Sequence, residues 1–328
     1  MIHPAMTHPA MTHPAITQPA TRNPDVIVVG EIYVDHILSG FATWPAPGEE
    51  SYASSYAREV GGGAANTACG LARLGRGVEL VGVIGVDERS WIESRIAQFG
   101  VRSALAQDTA PTGTTVSVSS EVDRAYFSYH GANAGLADFL ASDDLLAWLV
   151  RARHVHFALP LSAGLAARIL PVLSAAGCTT SLDAGYQPDW LRDPANAAMF
   201  AGISFLLPNA KEGELMTGSD DPCAYFAMAK ARGFRSAVLK IGSRGVMADV
   251  AGRVITVAPP VTTARDTTGA GDAFNAGFID ALLDNAGLEQ MLQRGCVCGA
   301  LSTQQAGALA GLPDRPHLTS LQEQTYVS

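Results

Sequence analysis

The chain contains no run of about 18 consecutive apolar residues, so no segment reads as a membrane-spanning helix. The uncharged reach from Gly295 to Pro313 is interrupted by Ser302, Thr303, Gln304 and Gln305. Basic residues are also scarce: 22 Lys and Arg against 31 Asp and Glu leave a net charge of -9. Nucleic-acid backbones are bound by neutralising their phosphates, so no nucleic-acid partner is expected, and small molecules are. Paired cysteines are missing. The five present (Cys69, Cys178, Cys223, Cys296, Cys298) are odd in number and lack the spacing of a zinc ribbon or a secreted disulfide framework. A reduced, cytoplasmic setting is the expectation, with Cys296 and Cys298 acting as small apolar residues rather than metal ligands.

The N-terminus lacks the basic start and apolar centre of a secretory signal. It reads MIHPA, MTHPA, MTHPA, ITQPA, with proline recurring too often for a helix or a central strand, so residues 1–24 are expected to be a disordered leader. The rest has ordinary globular composition, with 48% hydrophobic and 16% charged residues and 33 glycines among 328. That length suits one large domain or two small ones.

From Asp25 onward, short β-branched runs alternate with helical patterns, the mark of βαβ units around a mostly parallel sheet. Strands are expected at Val26 to Val29, Val78 to Ile84, His154 to Ala158, Thr179 to Asp183, Ile203 to Leu207 and Ala237 to Ile241. Helices are expected near Ala65 to Leu74, Glu88 to Phe99 and Ala163 to Ser174, with Gly75 and Gly100 as left-handed C-terminal caps. Between Ile32 and Val60, and again between Gly113 and His130, the pattern turns two-residue periodic. These stretches read as antiparallel strands of a small separate sheet, a lid or a dimer face, carrying Tyr126, Phe127 and Tyr129. The expected division is an α/β core over 25–34, 60–112 and 131–316, a β lid over 35–59 and 113–130, and a C-terminal tail over 317–328.

The most informative segment is Asp266-Thr267-Thr268-Gly269-Ala270-Gly271-Asp272, which runs into a helical pattern. Glycines let backbone amides approach an anion, and a helix start offers unpaired N–H donors with a positive dipole end. Asp272 then reads either as an N-cap or as a general base for an attacking hydroxyl. A second glycine loop, Gly61-Gly62-Gly63-Ala64-Ala65-Asn66, also enters a helix, and Asn209-Ala210-Lys211-Glu212 follows a strand end, where open α/β sheets hold ligands. The dinucleotide and Walker-A spacings are absent.

These segments, together with Gly30 to Asp35 and Gly242-Ser243-Arg244-Gly245, occur in the order found in the ribokinase-like carbohydrate kinases, the phosphofructokinase-B (PfkB) family. The resemblance covers about Val26 to Pro313. It implies a ribokinase-like three-layer α/β/α sandwich with a small β-sheet lid, and an ATP-dependent sugar kinase phosphorylating a primary hydroxyl. By the same resemblance Asp272 is the catalytic base, and Gly269, Ala270 and Gly271 form its anion hole. Asp35, Gly61, Gly62, Asn66 and Asn133 fall on the substrate side. Asn209, Lys240, Gly242, Ser243, Gly245 and Thr268 fall on the nucleotide side. Glu212 is implied as a magnesium ligand through water and Asp266 as part of a monovalent-cation site, which would admit potassium. A homodimer through the lid is the implied assembly. Departures bear on the substrate: Leu159-Pro160 stands where ribokinases place a ribose-contacting Glu. Asp183-Ala184-Gly185-Tyr186-Gln187 lacks the Asn and Arg of an Asp-x-Asn-x-Arg pattern found in several relatives. A nucleoside kinase, or a non-catalytic sugar- or nucleotide-binding regulator on the same fold, remains the alternative.

Overall fold

A computed structural model describes residues 23–45, 48–120, 124–196, 199, 202–234, 236–250 and 252–327. The leader repeat lies outside them apart from its last two residues. The first strand, β1 (Val26–Gly30), is wholly buried. Its Ile27 and Val29 pack into one apolar cluster and Val26 and Val28 into another, so helices cover both faces. Each such side chain contributes about 1.5–3 kcal/mol relative to exposure. Around it stand β4 (Val78–Gly85), β5 (Arg102–Asp108), β8 (His154–Ala158), β9 (Thr179–Leu182) and the two-residue β10 (Phe205–Leu206), in the order β10-β9-β8-β1-β4-β5. All five pairings are parallel. The chain is therefore an α/β fold with a continuous apolar central strand, as parallel sheets require.

The expected strand over Ala237 to Ile241 is not a seventh member of this sheet. It becomes β11 (Val238–Lys240), which pairs antiparallel with β12 (Val246–Val250), itself paired with β13 (Arg253–Val257). Two isolated bridges, Leu206 to Ala237 and Asn209 to Lys240, join this sheet to the first.

The lid is a separate four-stranded sheet of β2 (Tyr33–Phe41), β3 (Ser55–Gly61), β6 (Gly113–Ser120) and β7 (Arg124–Tyr129), ordered β3-β2-β6-β7. Its two outer pairings are antiparallel, as expected, but β2 and β6 run parallel. The reason is connectivity: between them the chain passes through β4 and β5 of the core, a crossover long enough to return in the same direction.

The helices that matter below are α1 (Gly63–Arg73), α2 (Arg89–Ala97), α3 (Leu136–Leu140), α4 (Asp143–Leu149), α5 (Ala163–Ala175), α6 (Pro188–Arg192), α7 (Ala210–Thr217), α8 (Pro222–Ala231), α9 (Ala270–Leu283), α10 (Leu288–Ser302) and α11 (Arg315–Tyr326). Gly75 and Gly100 close α1 and α2 with φ of 88° and 89°, the left-handed conformation expected there. Residues 317–328, expected from sequence to form a tail, belong largely to α11, whose Leu318 is buried beside Leu74 and Val297. Arg315 at its start reaches the fully buried Asp280 of α9, which also accepts hydrogen bonds from Arg76 (2.6 Å) and Arg294 (2.6 Å). One carboxylate with three guanidinium partners thus ties α11 to the core. No helix among the described residues is long and apolar enough to cross a membrane.

Candidate active site

Because the six core strands are parallel, their C-terminal ends lie on one side of the molecule, where ligands of open α/β sheets bind. Two cavities open there. The larger, ≈ 590 Å³, lies between the β11–β12 turn, the chain after β13, and helices α9 and α10; Asn209, Lys240, Gly242, Ser243, Gly245, Ala270 and Gly271 line it. Its remaining wall is mostly apolar, including Pro259, Pro260, Val261, Phe274 and Ala300. The smaller, ≈ 160 Å³, is lined by Glu31, Tyr33, Gly63, the Ala158–Pro160 turn, Asp183 to Gly185, Gln187 and Asp272. The first turn of α9 divides them, Gly271 facing one cavity and Asp272 the other.

That turn is built by its own sequence. Asp266 accepts hydrogen bonds from the Thr268 amide (3.0 Å) and hydroxyl (2.7 Å) and from the Gly307 amide (2.8 Å), which pins the segment ahead of the helix. Gly269 is the N-cap with φ 75°, and a Cβ there would lie 2.7 Å from the Ala308 Cβ, so only glycine fits without strain. The Ala270 amide turns back onto the Thr267 carbonyl at 3.2 Å. The amides that follow it are the first-turn donors that no intrahelical carbonyl claims.

Asp272, third in the helix, is therefore not the cap. Its carboxylate accepts from Asn66 Nδ2 at 2.8 Å, bringing together residues 206 apart in sequence. Gly63 packs beside it, where a Cβ would come within 3.2 Å of Asp272 Oδ1. Burial, then the nearby charge of Asp183, push the Asp272 carboxyl up to about 7, against the opposing pull of Asn66 and Lys240. Asn66 Oδ1 is buried and has no hydrogen-bond partner. An unpaired buried acceptor beside a carboxylate poised near neutrality is fitted to receive a hydroxyl donor.

Behind Asp272 lies a network that no local sequence pattern signals. Lys240 Nζ donates to Asp183 Oδ2 at 2.6 Å, and Asn275 Nδ2 donates to the same oxygen at 2.7 Å. Burial alone would raise the Asp183 carboxyl, but Lys240 and Asn275 hold it below its ordinary range. Asn209 and Glu212 form a capping box at the start of α7. Asn209 Oδ1 accepts the Glu212 amide (2.9 Å), while Glu212 accepts the Asn209 amide (2.8 Å) and side-chain Nδ2 (2.7 Å). Glu212 is buried, and that burial together with Asp183 pushes its carboxyl up to about 7.

Asp183, Glu212 and Asp272 all act on the charge of a single ammonium, Lys240, and the negative charge of Asp183 raises the cost of ionising Glu212 and Asp272. No group of three or more acidic, His or Cys side chains among the described residues could cage a metal. A hard divalent cation that arrives with a nucleotide needs only one or two carboxylates beside phosphates and water, and this excess of negative oxygen fits that requirement.

The two cavities sort the remaining candidates. Gly242, Ser243 and Gly245 line the larger one, while Thr268 does not and spends its hydroxyl on Asp266. Asp35 shares a face of β2 with Tyr33, and its carboxylate lies so close to Gly61 that a Cβ there would clash at 2.0 Å. Burial and Glu59 push Asp35 up to about 6. Asn133 is spent differently from the expectation. Its Oδ1 accepts the Ile32 amide and its Nδ2 donates to the Ile32 carbonyl, both at 2.9 Å, so its amide clamps the β1–β2 turn. Gly62, with φ 94°, packs on the Glu31 carbonyl, where a Cβ would meet it at 2.4 Å. Neither Gly61 nor Gly62 is in the small cavity's wall; Gly63 is. Sequence reasoning misses four residues of the site: Asp183, Asn275, Glu31 and Tyr33. Asp183 sits just past a parallel strand, a position that singles it out, and Asn275 is one turn from Asp272 on the same helix face.

Comparison with known proteins gives the family. The model of the pfkB family carbohydrate kinases matches residues 23–315. The 2-dehydro-3-deoxygluconokinase of Bacillus subtilis is 28% identical over 81% of this chain and 87% of its own length. The fructokinase of Klebsiella pneumoniae is 32% identical over 79% and 90%. Among solved structures, the ribokinase of Arabidopsis thaliana, complexed with ribose and ATP, superposes with a TM-score of 0.78 at 25% identity, covering 92% of this chain and 99% of that one. With a family match across most of its length and paired cavities at the strand ends, the chain belongs to the pfkB family of carbohydrate kinases.

Proposed function

We propose that the larger cavity takes ATP, the smaller a small sugar or related polyol, and that Asp272 moves the proton between them. The observation that carries this reading is the place of Asp272: at the seam of the two cavities, bonded to Asn66, with its carboxyl near neutrality. A general base works best when its pKa lies near the working pH. A primary hydroxyl in the small cavity donates its proton to Asp272 as its oxygen attacks the γ-phosphorus; the bond to the β-phosphate oxygen breaks and ADP leaves. The first-turn amides of α9 stabilise the charge spread over the transferring group. Magnesium bound with the nucleotide would supply charge neutralisation at the phosphates, and Glu212 would hold it through water. Asn209 and Lys240 line the nucleotide side.

Size favours a sugar over a nucleoside. At ≈ 160 Å³ the acceptor cavity is roughly a quarter of the ≈ 590 Å³ beside it. Leu159 and Pro160 form part of its wall, so no carboxylate meets a ribose from that position.

The lid also presents an apolar face. Tyr56 (59% exposed), Phe127 (62%) and Tyr129 (58%) lie on the face shared by His36 and Val116, and a second copy of the chain would cover it. Light scattering on Phe127→Lys should then report a smaller species than the wild type.

The direct test of the kinase reading is ADP release from magnesium-ATP, with and without potassium, across ketohexoses, aldohexoses, pentoses and nucleosides. Turnover with a sugar is expected. Turnover with nucleosides alone transfers the reading to that class, and ligand binding without any turnover makes the chain a regulator.

A further inference from the structure

The small cavity also specifies the charge of what enters it. Among its eleven lining residues are three carboxylates, Glu31, Asp183 and Asp272, and no Lys, Arg or His. The nearest ammonium, Lys240, lines the other cavity and is held by Asp183 at 2.6 Å. Glu31 is not a loose surface acid. Tyr33 Oη donates to its Oε2 at 2.6 Å, and His130 Nδ1 lies 3.1 Å from that phenol and 3.6 Å from Glu31 Oε1. Its main chain is fixed as well, by the close approach of Gly62 to its carbonyl. Asn66 offers an anion no partner either. Asn66 is 6% exposed, its donor Nδ2 is committed to Asp272, and its unpartnered Oδ1 can accept from a hydroxyl but cannot bind an anionic oxygen. A carboxylate or phosphate on the acceptor would meet the like charge of Glu31, and no Lys, Arg or His lines the cavity to pair with it.

We propose that the acceptor pocket selects polyols that carry no negative charge, and that Glu31, held by Tyr33, is the residue that turns sugar acids and sugar phosphates away. The inference deepens the kinase reading but depends on it only for turnover, since the selection is already present in binding.

The test is isothermal calorimetry at low and at high salt with D-fructose, D-ribose, D-gluconate and D-fructose 6-phosphate, on wild type and Glu31→Gln, beside ADP release for the same set. A neutral sugar should bind at least about tenfold more tightly than either anion, and high salt should narrow the gap in the wild type without any mutation. Glu31→Gln should narrow it at least about threefold, because Gln keeps an acceptor for Tyr33 and loses only the charge. An anion bound as tightly as the neutral sugars, or an unchanged ratio in Glu31→Gln, overturns the proposal. A neutral sugar that binds selectively yet is never phosphorylated removes the kinase reading and leaves this one standing. Phosphorylation of gluconate in preference to fructose does the reverse, and binding of none of the four overturns both.

Discussion

The two cavities at the strand ends are made in different ways. The larger cavity, proposed for the nucleotide, is shaped largely by main chain and small residues, with Gly242, Gly245, Ala270 and Gly271 around an apolar wall. The smaller cavity, proposed for the acceptor, is lined by the side chains of Glu31, Tyr33, Asp183 and Asp272, with Asn66 bonded to Asp272, delivered by the β1–β2 turn, the end of β9, α9 and α1. A backbone cradle tolerates many side chains but few conformations, whereas a side-chain pocket depends on particular atoms held by particular partners. The first should fail through geometry and the second through charge.

The largest expected effect sits at the boundary. Asp272→Asn keeps the volume and the bond to Asn66 but removes the base, so kcat should fall by about 10²–10⁴ with nucleotide affinity retained. A variant that turns over at near wild-type rate would show that the two sides are not divided at this residue. Next comes Asp183→Ala, which strands Lys240 as a buried charge and should cost about 3–5 kcal/mol in denaturant unfolding. Adding Lys240→Met should return part of that loss; if it does not, the pair is not the support of the acceptor wall.

A smaller effect is set by pH. With Asp272 at about 7, kcat/KM should rise about tenfold between pH 6 and pH 8, and that rise should vanish in Asp272→Asn. Stability should move the other way. Asp35, Glu212 and Asp272 keep their protons in the fold up to about 6 to 7, whereas the unfolded chain releases them near 4. Their contribution is complete below about pH 4 and is lost as pH rises through 6 and 7, so the nucleotide-free melting temperature should carry that decline. The smallest effect belongs to the nucleotide side: Asn209→Ala removes the capping box of α7 and should cost about 1 kcal/mol, with KM for ATP rising more than KM for sugar.

The same division decides what the sequence discloses. Gly269 to Asp272 and Gly242 to Gly245 are continuous segments, and a turn's backbone demands are written in adjacent residues, so the nucleotide side is legible in the sequence itself. The core is too: the apolar runs at Val26 and Val78 admit little but buried parallel strands. Lys240, expected on the nucleotide side, lines the larger cavity, but its bond to Asp183, 57 residues away, has no signal in the local sequence. Asn133 reads as a substrate contact, yet it clamps Ile32, 101 residues away. Such pairings depend on where the sheet order puts strand ends, which no local pattern encodes. The parallel pairing of β2 with β6 escapes for the same reason, because strand alternation fixes faces and not direction.

The single helical turn between the cavities has an evolutionary consequence. Ala270 and Gly271 line one cavity and Asp272 the other, so on the proposed reading this turn cannot drift without disturbing phosphate and acceptor together. The β1–β2 turn and the residues that follow Asp183 line the smaller cavity and not the larger, so their side chains can be changed without altering the larger cavity's wall. A scaffold arranged in this way changes its diet without relearning its chemistry, and libraries confined to residues such as Glu31, Tyr33 and Ala184 are where new acceptors should be sought.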